Sequence, residues 1–155
     1  MAKFADCRVT VDLMVLKKDP EDRLSVLLIQ RGHAPFQGMY ALPGGFLDED
    51  DATLEEAACR ELLEETNVRV KAERIYNFGT YGDRGRDPRG RTVTGAFLIL
   101  LNKLEQKELD VQAGDDAKQA AFFEIDKLPN LAFDHAKMIA DGLAYLALRS
   151  PFKAD

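Results

Sequence analysis

The sequence has no tryptophan, only two cysteines and only two histidines among its 155 residues. Cys7 and Cys59 are too few and too far apart to suggest a disulfide scaffold or a cysteine-based metal site. Its apolar runs, such as residues 96–101, are far shorter than the roughly 20 residues that a membrane helix needs. The N-terminus also lacks the apolar stretch of a secretory signal. These absences predict a cytoplasmic protein that does not enter a membrane.

Positive charge is also scarce, since 21 Lys and Arg face 27 Asp and Glu, for a net charge of −6. A nucleic-acid surface needs clustered basic residues, so we expect no nucleic-acid partner. The charge is unevenly spread: half of residues 48–65 are Asp or Glu, and four arginines lie within residues 84–91. An acidic cluster near a basic loop suits a small anion bridged by a cation. Two solvated surface patches would explain the charge pattern equally well.

The chain length and the lack of repeats or linkers predict a single domain over residues 1–155. Alternating and β-branched residues predict strands at 8–18, 24–30, 68–79, 92–103 and 119–124, the first two joined as a hairpin. Residues 38–45 are predicted to be a loop. Asp134 is the expected N-cap of a last helix, whose inward residues are Ile139, Leu143, Leu146 and Ala147. This pattern predicts an α/β fold with a mixed sheet covered on both faces.

A central helix is predicted after residue 53. Thr53 and Glu56 have the spacing of a capping box, in which each side chain satisfies a backbone donor of the first turn. Apolar residues then recur at helical spacing, at Leu54, Ala57, Ala58 and Leu62. Asn67 is the expected left-handed stop, because asparagine tolerates that conformation better than most residues.

Three carboxylates share one face of this helix, because Glu61, Glu64 and Glu65 are separated by three or four residues. At a separation of ~5 Å and an effective dielectric of about 20, each like-charge pair costs on the order of 3 kcal/mol. Arg60 can pair with Glu64, but one guanidinium does not neutralise three carboxylates. Oxygen-only ligands select a hard divalent ion such as Mg²⁺ or Mn²⁺. A solvated acidic face without a metal is the alternative.

Residues 42–46 and 54–66 resemble the Nudix box, whose pattern is Gly-x5-Glu-x7-Arg-Glu-U-x-Glu-Glu-x-Gly-U, with U aliphatic. The matching residues are Gly45, Arg60, Glu61, Leu62, Glu64, Glu65 and Val68. Two positions depart from the pattern. The loop before the helix is one residue longer, so the first glutamate position falls on Asp51 or Ala52, depending on the direction of counting. Asn67 replaces the last glycine.

The resemblance implies a Nudix-type α/β/α sandwich in which a diphosphate is hydrolysed. It implies that Glu61 and Glu65 bind Mg²⁺ or Mn²⁺, that the Gly45 carbonyl assists, and that Glu64 is a shared ligand or proton acceptor. Arg60 would orient Glu64. The general base often lies elsewhere in this family, so Asp115 and Asp116 are candidates, with an ordinary Asp-rich turn as the alternative.

Softer matches at residues 30–36, 78–83, 86–91 and 131–135 resemble ADP-ribose-type Nudix hydrolases and the Nudix domains of NAD-metabolism repressors. They imply ADP-ribose as substrate, cleaved to AMP and ribose 5-phosphate. Arg31 and Arg86 are candidate phosphate clamps. Phe36 and Tyr40 are candidates for stacking on a base, although packing against the core is the simpler role. The two histidines, His33 and His135, are expected to be structural.

Two other functions remain open. A pyrophosphohydrolase of nucleoside triphosphates, including oxidised ones, would use the same glutamate helix. A non-catalytic nucleotide sensor is expected to carry a DNA-binding segment after the Nudix domain, and no basic recognition helix follows the predicted last helix. In either case the partner is a small nucleotide. A homodimer is consistent with family analogy alone.

Overall fold

The computed structural model describes Met1, residues 3–114 and residues 116–149. Within these residues, seven strands and three α-helices follow one another. They are β1 (Arg8–Lys18), β2 (Leu24–Arg31), β3 (Tyr40–Ala41), β4 (Gly44–Phe46), α1 (Leu54–Thr66), β5 (Tyr76–Tyr81), β6 (Thr92–Leu100), α2 (Lys103–Lys107), β7 (Ala117–Glu124) and α3 (His135–Ala147). Single 3₁₀ turns lie at Ala72–Arg74 and Ile125–Lys127. Among the residues described, no helix is long and apolar enough to cross a membrane.

The strands form one mixed sheet. Its main order is β3-β2-β1-β6-β5, with β4 paired to β1 and β7 paired to β2. Only the β1–β6 pairing is parallel among the strand pairs described, and the other pairs are antiparallel. The predicted α/β class, the mixed sheet and the hairpin of the first two strands are therefore confirmed.

The two faces of the sheet carry separate apolar clusters because successive strand residues point to opposite sides. Leu13 and Phe97 lie on one face with Leu62 of α1, and Met14 and Leu98 lie on the other with Met138 of α3. The sheet is thus sandwiched between α1 and α3, as the resemblance implied.

Several predicted boundaries were wrong. Residues 38–45 contain β3 and the start of β4, which are too short to show a strand pattern. The strand predicted at 68–79 begins only at Tyr76, because a 3₁₀ turn occupies Ala72–Arg74. The strand predicted at 92–103 ends at Leu100, and the short α2, capped by Asn102 and Glu105, begins at Lys103. Ala147, expected to point inward, is exposed.

The helix ends follow the predictions in part. The Thr53 hydroxyl accepts a hydrogen bond from the Glu56 amide at 3.1 Å, but the Glu56 carboxylate bonds the Ala52 amide, so the predicted reciprocal capping box is incomplete. Asn67 has φ 61° and ends α1 as predicted. Asp134 precedes α3 but makes no capping bond, because Arg86 binds its carboxylate.

Candidate active site

A cavity of about 630 Å³ opens over the polar face of α1. Its volume lies in the range of small-molecule sites. The turn between β3 and β4, the ends of β1 and β2, and the loop between β5 and β6 form its other walls. The predicted site residues that line it are Arg31, Gly45, Arg60, Glu61, Glu64, Glu65, Arg86 and Asp116.

Two glycines bring the backbone directly against the carboxylates of α1. The Gly44 amide donates a hydrogen bond to Glu65 Oε1 at 2.9 Å. A Cβ atom on Gly45 would lie 2.5 Å from Glu61 Cδ, so a side chain there would have to displace the Glu61 carboxylate. A Cβ atom on Gly44 would clash with the Val11 carbonyl oxygen, so this position needs glycine for the backbone to approach so closely.

The glutamates of α1 have unequal surroundings. Burial raises the pKa of Glu65 to about 8; Glu61 and Asp12 add to the rise, while the Gly44 amide opposes it. Burial also raises the pKa of Glu61, although Arg60 opposes that shift. Glu64 is exposed. A buried carboxyl with too few donors favours a cation beside it, because the cation would offset the cost of the charged form.

Arg60 joins the helix to the preceding loop. It holds Asp51 through two hydrogen bonds of 2.8 Å and also donates to the Phe46 carbonyl at 3.1 Å. Its third nitrogen bonds Glu61 at 2.9 Å and Glu64 at 3.2 Å. Asp51 is therefore the loop carboxylate that supports the helix, which resolves the ambiguous position in favour of counting from Gly45.

The donor set suits a hard cation, although its side chains are not assembled around one. No three His, Cys, Asp or Glu side chains converge as a metal cluster within the described part of the chain. Arg60 engages Glu61 and Glu64, and Glu65 is turned to the Gly44 amide. The four oxygen donors, the three carboxylates and the Gly45 carbonyl, nevertheless have the chemistry that Mg²⁺ and Mn²⁺ prefer.

A buried polar group that sequence reasoning missed lies at the base of the cavity. Asp12 of β1 and His135 of α3 both line it and are 8% and 3% exposed. Asp12 accepts a hydrogen bond from the Thr94 hydroxyl at 2.6 Å, and His135 Nε2 lies 3.4 Å from its other oxygen. An acidic residue inside an otherwise apolar strand was the available signal for Asp12.

One wall of the cavity is formed by Arg31, Arg89 and the Phe133 ring. The guanidinium groups of Arg31 and Arg89 lie 4.9 and 5.7 Å from the centre of the Phe133 ring. Arg89 forms a bidentate pair with Asp87, whereas no carboxylate among residues 3–114 and 116–149 lies within ion-pair distance of Arg31. Burial and Arg89 together lower the pKa of Arg31. Arg31 Nε donates to the Pro35 carbonyl at 2.7 Å, so its terminal guanidinium nitrogens are the donors available for an anion.

Arg86 is more constrained than predicted. Its side chain is 5% exposed and binds both oxygens of Asp134 at 2.7 and 2.9 Å. It still lines the cavity, so Asp134 fixes its orientation at the wall.

The two predicted stacking residues lie outside the cavity lining. Tyr40 donates to Gln119 at 3.0 Å and packs edge-on against Phe123, and Phe36 packs edge-on against Phe133 at 4.8 Å. Phe133 lines the cavity, as Phe46 does, and Phe36 packs behind Phe133. Sequence reasoning missed Phe133 because it lies in a loop without a regular pattern.

A loop after α2 connects α1 to the opposite cavity wall. The Gln112 and Gly114 amides donate to the Thr66 and Glu65 carbonyls at 2.9 and 3.1 Å. Asp116 lines the cavity, and its carboxylate accepts a hydrogen bond from His33 Nε2 at 3.0 Å. The other base candidate, Asp115, lies outside the described residues.

Comparisons with known proteins agree with this geometry. The NUDIX domain family matches residues 8–142. An ADP-ribose pyrophosphatase of Methanocaldococcus jannaschii is 43% identical over 127 residues, or 82% of this chain and 68% of that protein. The ADPR responsive transcriptional repressor NtrR of Acinetobacter baylyi is 33% identical over 94% of this chain but only 57% of its own length.

Solved structures show the same likeness. A MutT/nudix family protein from Enterococcus faecalis has a TM-score of 0.85 at 30% identity, over 96% of this chain and 65% of that one. The NUDIX domain of Shewanella oneidensis NrtR, complexed with ADP ribose, has a TM-score of 0.82 at 31% identity, over 92% and 90%. With the family match, the curated relatives and the glutamate helix in agreement, this chain belongs to the Nudix hydrolase family.

Proposed function

We propose that this Nudix hydrolase cleaves the diphosphate of ADP-ribose to AMP and ribose 5-phosphate, with Mg²⁺ or Mn²⁺ as cofactor. The observation that carries the proposal is that one cavity is lined by both the acidic face of α1 and the Arg31–Phe133 wall. The cavity has carboxylates on one side and guanidinium groups on the other. This arrangement suits a diphosphate that is bridged by metal to the carboxylates and held by the guanidinium groups. The 43% identity to an ADP-ribose pyrophosphatase supports the substrate.

Glu61, Glu64, Glu65 and the Gly45 carbonyl would hold the metal. Bound there, a divalent ion lowers the charge on the diphosphate oxygens and helps to ionise water. Because Arg60 now bonds Glu61 and Glu64, these carboxylates must loosen from it, while its bidentate pair with Asp51 keeps the guanidinium in place. Arg60 would thus stay in place beside the helix face through Asp51 when Glu61 and Glu64 turn to the metal.

In the reaction, the water oxygen bonds one phosphorus as that phosphorus loses the bridging oxygen, which leaves two monophosphates. Glu64, the exposed member of the helix face, is our first candidate to accept the water proton. Asp116 is the second, since it lines the opposite side of the cavity beside His33. Asp115 stays a candidate from the sequence alone.

On the substrate side, Arg31 has donors available for a phosphate, and Arg86, oriented by Asp134, is a second contact. Phe133 is a better candidate than Phe36 or Tyr40 for contact with a base or ribose, because its ring lines the cavity. Phe36 is then a support for Phe133, and Tyr40 a support for the β2–β7 pairing.

Two alternatives keep some support. A triphosphate substrate would use the same metal site. The likeness to a transcriptional repressor, of which the chain spans 57%, supports a nucleotide-sensing role. One structural relative, Shewanella oneidensis NrtR, was solved in complex with a 27mer DNA. The absence of a nucleic-acid partner therefore stays a prediction. The cytoplasmic location, the single domain and the homodimer stay predictions as well.

The test is a substrate panel with Mg²⁺: ADP-ribose, NAD, NADH, diadenosine polyphosphates, natural triphosphates and 8-oxo-dGTP, with product identification. AMP plus ribose 5-phosphate as the preferred products supports the proposal, whereas nucleoside monophosphate plus pyrophosphate favours the triphosphate alternative. Binding of ADP-ribose without turnover favours the sensor. Glu64→Gln and Glu65→Gln are expected to lower kcat by about two orders of magnitude or more. Glu55→Gln, on the same helix but outside the cavity, is the control.

A further inference from the structure

The buried group formed by Asp12, Thr94 and His135 has no part in the proposed chemistry, yet it reaches the base of the cavity. Thr94 is completely buried, and His135 and Asp12 are nearly so. The three residues come from three separate elements: β1, β6 and the first turn of α3. Burying an aspartate and a histidine is costly unless both are fully hydrogen-bonded, so the arrangement of their bonds is informative.

The imidazole of His135 has both nitrogens engaged. Its Nδ1 accepts a hydrogen bond from the Leu42 amide at 3.0 Å. The proton of the neutral ring is therefore on Nε2, which points at Asp12 Oδ1 from 3.4 Å. Burial lowers the pKa of His135, which keeps the ring neutral. The Thr94 hydroxyl donates to the second oxygen of Asp12 at 2.6 Å, so the carboxylate is held from two sides.

These contacts lie directly behind the glycines that meet the glutamates. Asp12 is the register partner of Gly44 in the β1–β4 pairing. A Cβ atom on Gly44 would lie 2.7 Å from Asp12 Oδ1, so the carboxylate rests against the Gly44 backbone. Gly44 in turn donates to Glu65 Oε1. The backbone from Leu42 to Gly44 is thus held at one end by His135 and supported at the other by Asp12.

We propose that His135 and Asp12 are positioning residues that set the placement of Gly44 and Gly45, and through it the placement of Glu65, for divalent metal binding. This inference rests on the proposed metal-dependent hydrolysis. Neither His135 nor Asp12 touches the reacting atoms of that hydrolysis. Loss of the pair would let the turn between β3 and β4 shift, and would move the Gly45 carbonyl and the Glu65 carboxylate from the positions in which they would hold the ion.

Three variants separate the contacts. His135→Phe keeps a ring of similar size but removes both hydrogen bonds. His135→Asn keeps an acceptor where Nδ1 receives the Leu42 amide. Thr94→Val keeps the shape of Thr94 and removes only its bond to Asp12. Lys137→Gln, an exposed change two residues along α3, is the matched control. Each folded variant is titrated with Mn²⁺ by calorimetry without substrate, and kcat and KM for ADP-ribose are measured at saturating metal.

We expect His135→Phe to weaken Mn²⁺ binding by about 10-fold, the lower end of the effects known for residues that orient metal ligands. His135→Asn is expected to recover most of that affinity, and Thr94→Val to lose about 3-fold. KM for ADP-ribose should stay within about 2-fold in His135→Phe while kcat falls, because Arg31 and Arg86 are unchanged and a phenylalanine ring can still pack against Phe133, whose ring lies 5.4 Å from that of His135. Lys137→Gln should match the parent protein.

A folded His135→Phe protein that binds Mn²⁺ as tightly as the parent overturns the inference, and so does an Asn variant that is no better than the Phe variant. If His135→Phe does not fold, Thr94→Val decides: unchanged Mn²⁺ affinity overturns the inference, and a loss with KM unchanged supports it. If the parent itself does not bind Mn²⁺, the metal-dependent function fails together with this inference. If Glu65→Gln loses Mn²⁺ binding but the His135 and Thr94 variants do not, only this inference fails.

Discussion

At the scale of the residue, Glu65 shows how burial and charge compete in the site. Its pKa is raised from 4.5 to about 8, so the folded protein holds this proton more tightly than the unfolded chain does. The stability gained from the proton is complete below about pH 4.5 and is lost as the pH rises through about 8. In EDTA, the melting temperature should therefore fall between about pH 5 and pH 9.

Glu65→Gln should flatten that fall, because glutamine can still accept the Gly44 hydrogen bond but does not ionise. Differential scanning fluorimetry over this pH range measures the effect, with Glu55→Gln as the control that should follow the parent protein. Parallel curves for the parent and Glu65→Gln would show that another group governs the pH dependence.

Asp51 is the second residue with a defined electrostatic role. Hydrogen bonds from Arg60 lower the pKa of Asp51 to about 2, and its side chain is only 6% exposed. In Asp51→Asn the guanidinium loses its charged partner and remains on Glu61 and Glu64. We expect the Mg²⁺ concentration for half-maximal activity to rise by about 3-fold to 10-fold. Asp50→Asn, in the same loop, is the control, and an unchanged Mg²⁺ requirement in Asp51→Asn would contradict this role of Asp51.

At the scale of the element, α1 is fixed at both ends by loops that the cavity needs. The loop after α2 packs so closely that a Cβ atom on Gly114 would lie 2.3 Å from the Glu64 carbonyl oxygen. Gly114→Ala must therefore displace the loop or the end of the helix. We expect its melting temperature to fall by about 2–4 °C or more, which corresponds to at least about 1 kcal/mol for a chain of this length.

Ala113→Ser is the matched change, since Ala113 is the exposed neighbour of Gly114, and its melting temperature should stay near that of the parent. Because the same loop leads to Asp116 on the cavity wall, activity should fall with stability in Gly114→Ala. A stable and fully active Gly114→Ala protein would show that the loop does not need this contact.

At the scale of the whole molecule, the apolar core that holds the fold is separate from the proposed metal site. The carboxylates of the site belong to neither apolar cluster of the sheet, and the two clusters hold α1 and α3 on their own. Removing metal with EDTA should abolish hydrolysis but leave the far-UV circular dichroism unchanged. Added Mg²⁺ should raise the melting temperature only as far as its occupancy predicts. Loss of secondary structure in EDTA would mean that the metal is structural.

Local spacing explains what the sequence by itself determined. Helix α1, its left-handed stop at Asn67 and the shared face of Glu61, Glu64 and Glu65 all depend on residues within one or two turns of each other. The long strands β1, β2 and β6 have enough alternating or β-branched residues to be recognised, and these elements suffice to predict the α/β class. The proposed metal chemistry follows from the same short segment, because the proposed ligands are neighbours on one helix.

Tertiary structure decided everything that depends on distant segments. The support of Arg60 by Asp51 depends on the path of an irregular loop, and the short strands β3 and β4 exist only because β2 and β1 pair with them. Asp12 lies on β1, whereas Phe133 and His135 lie two residues apart at the start of α3, and the two segments meet only when the sheet and α3 pack together. Tyr40 and Phe36 lie behind the cavity for the same reason: a sequence shows which side chains are aromatic, but only packing determines which ring faces the ligand.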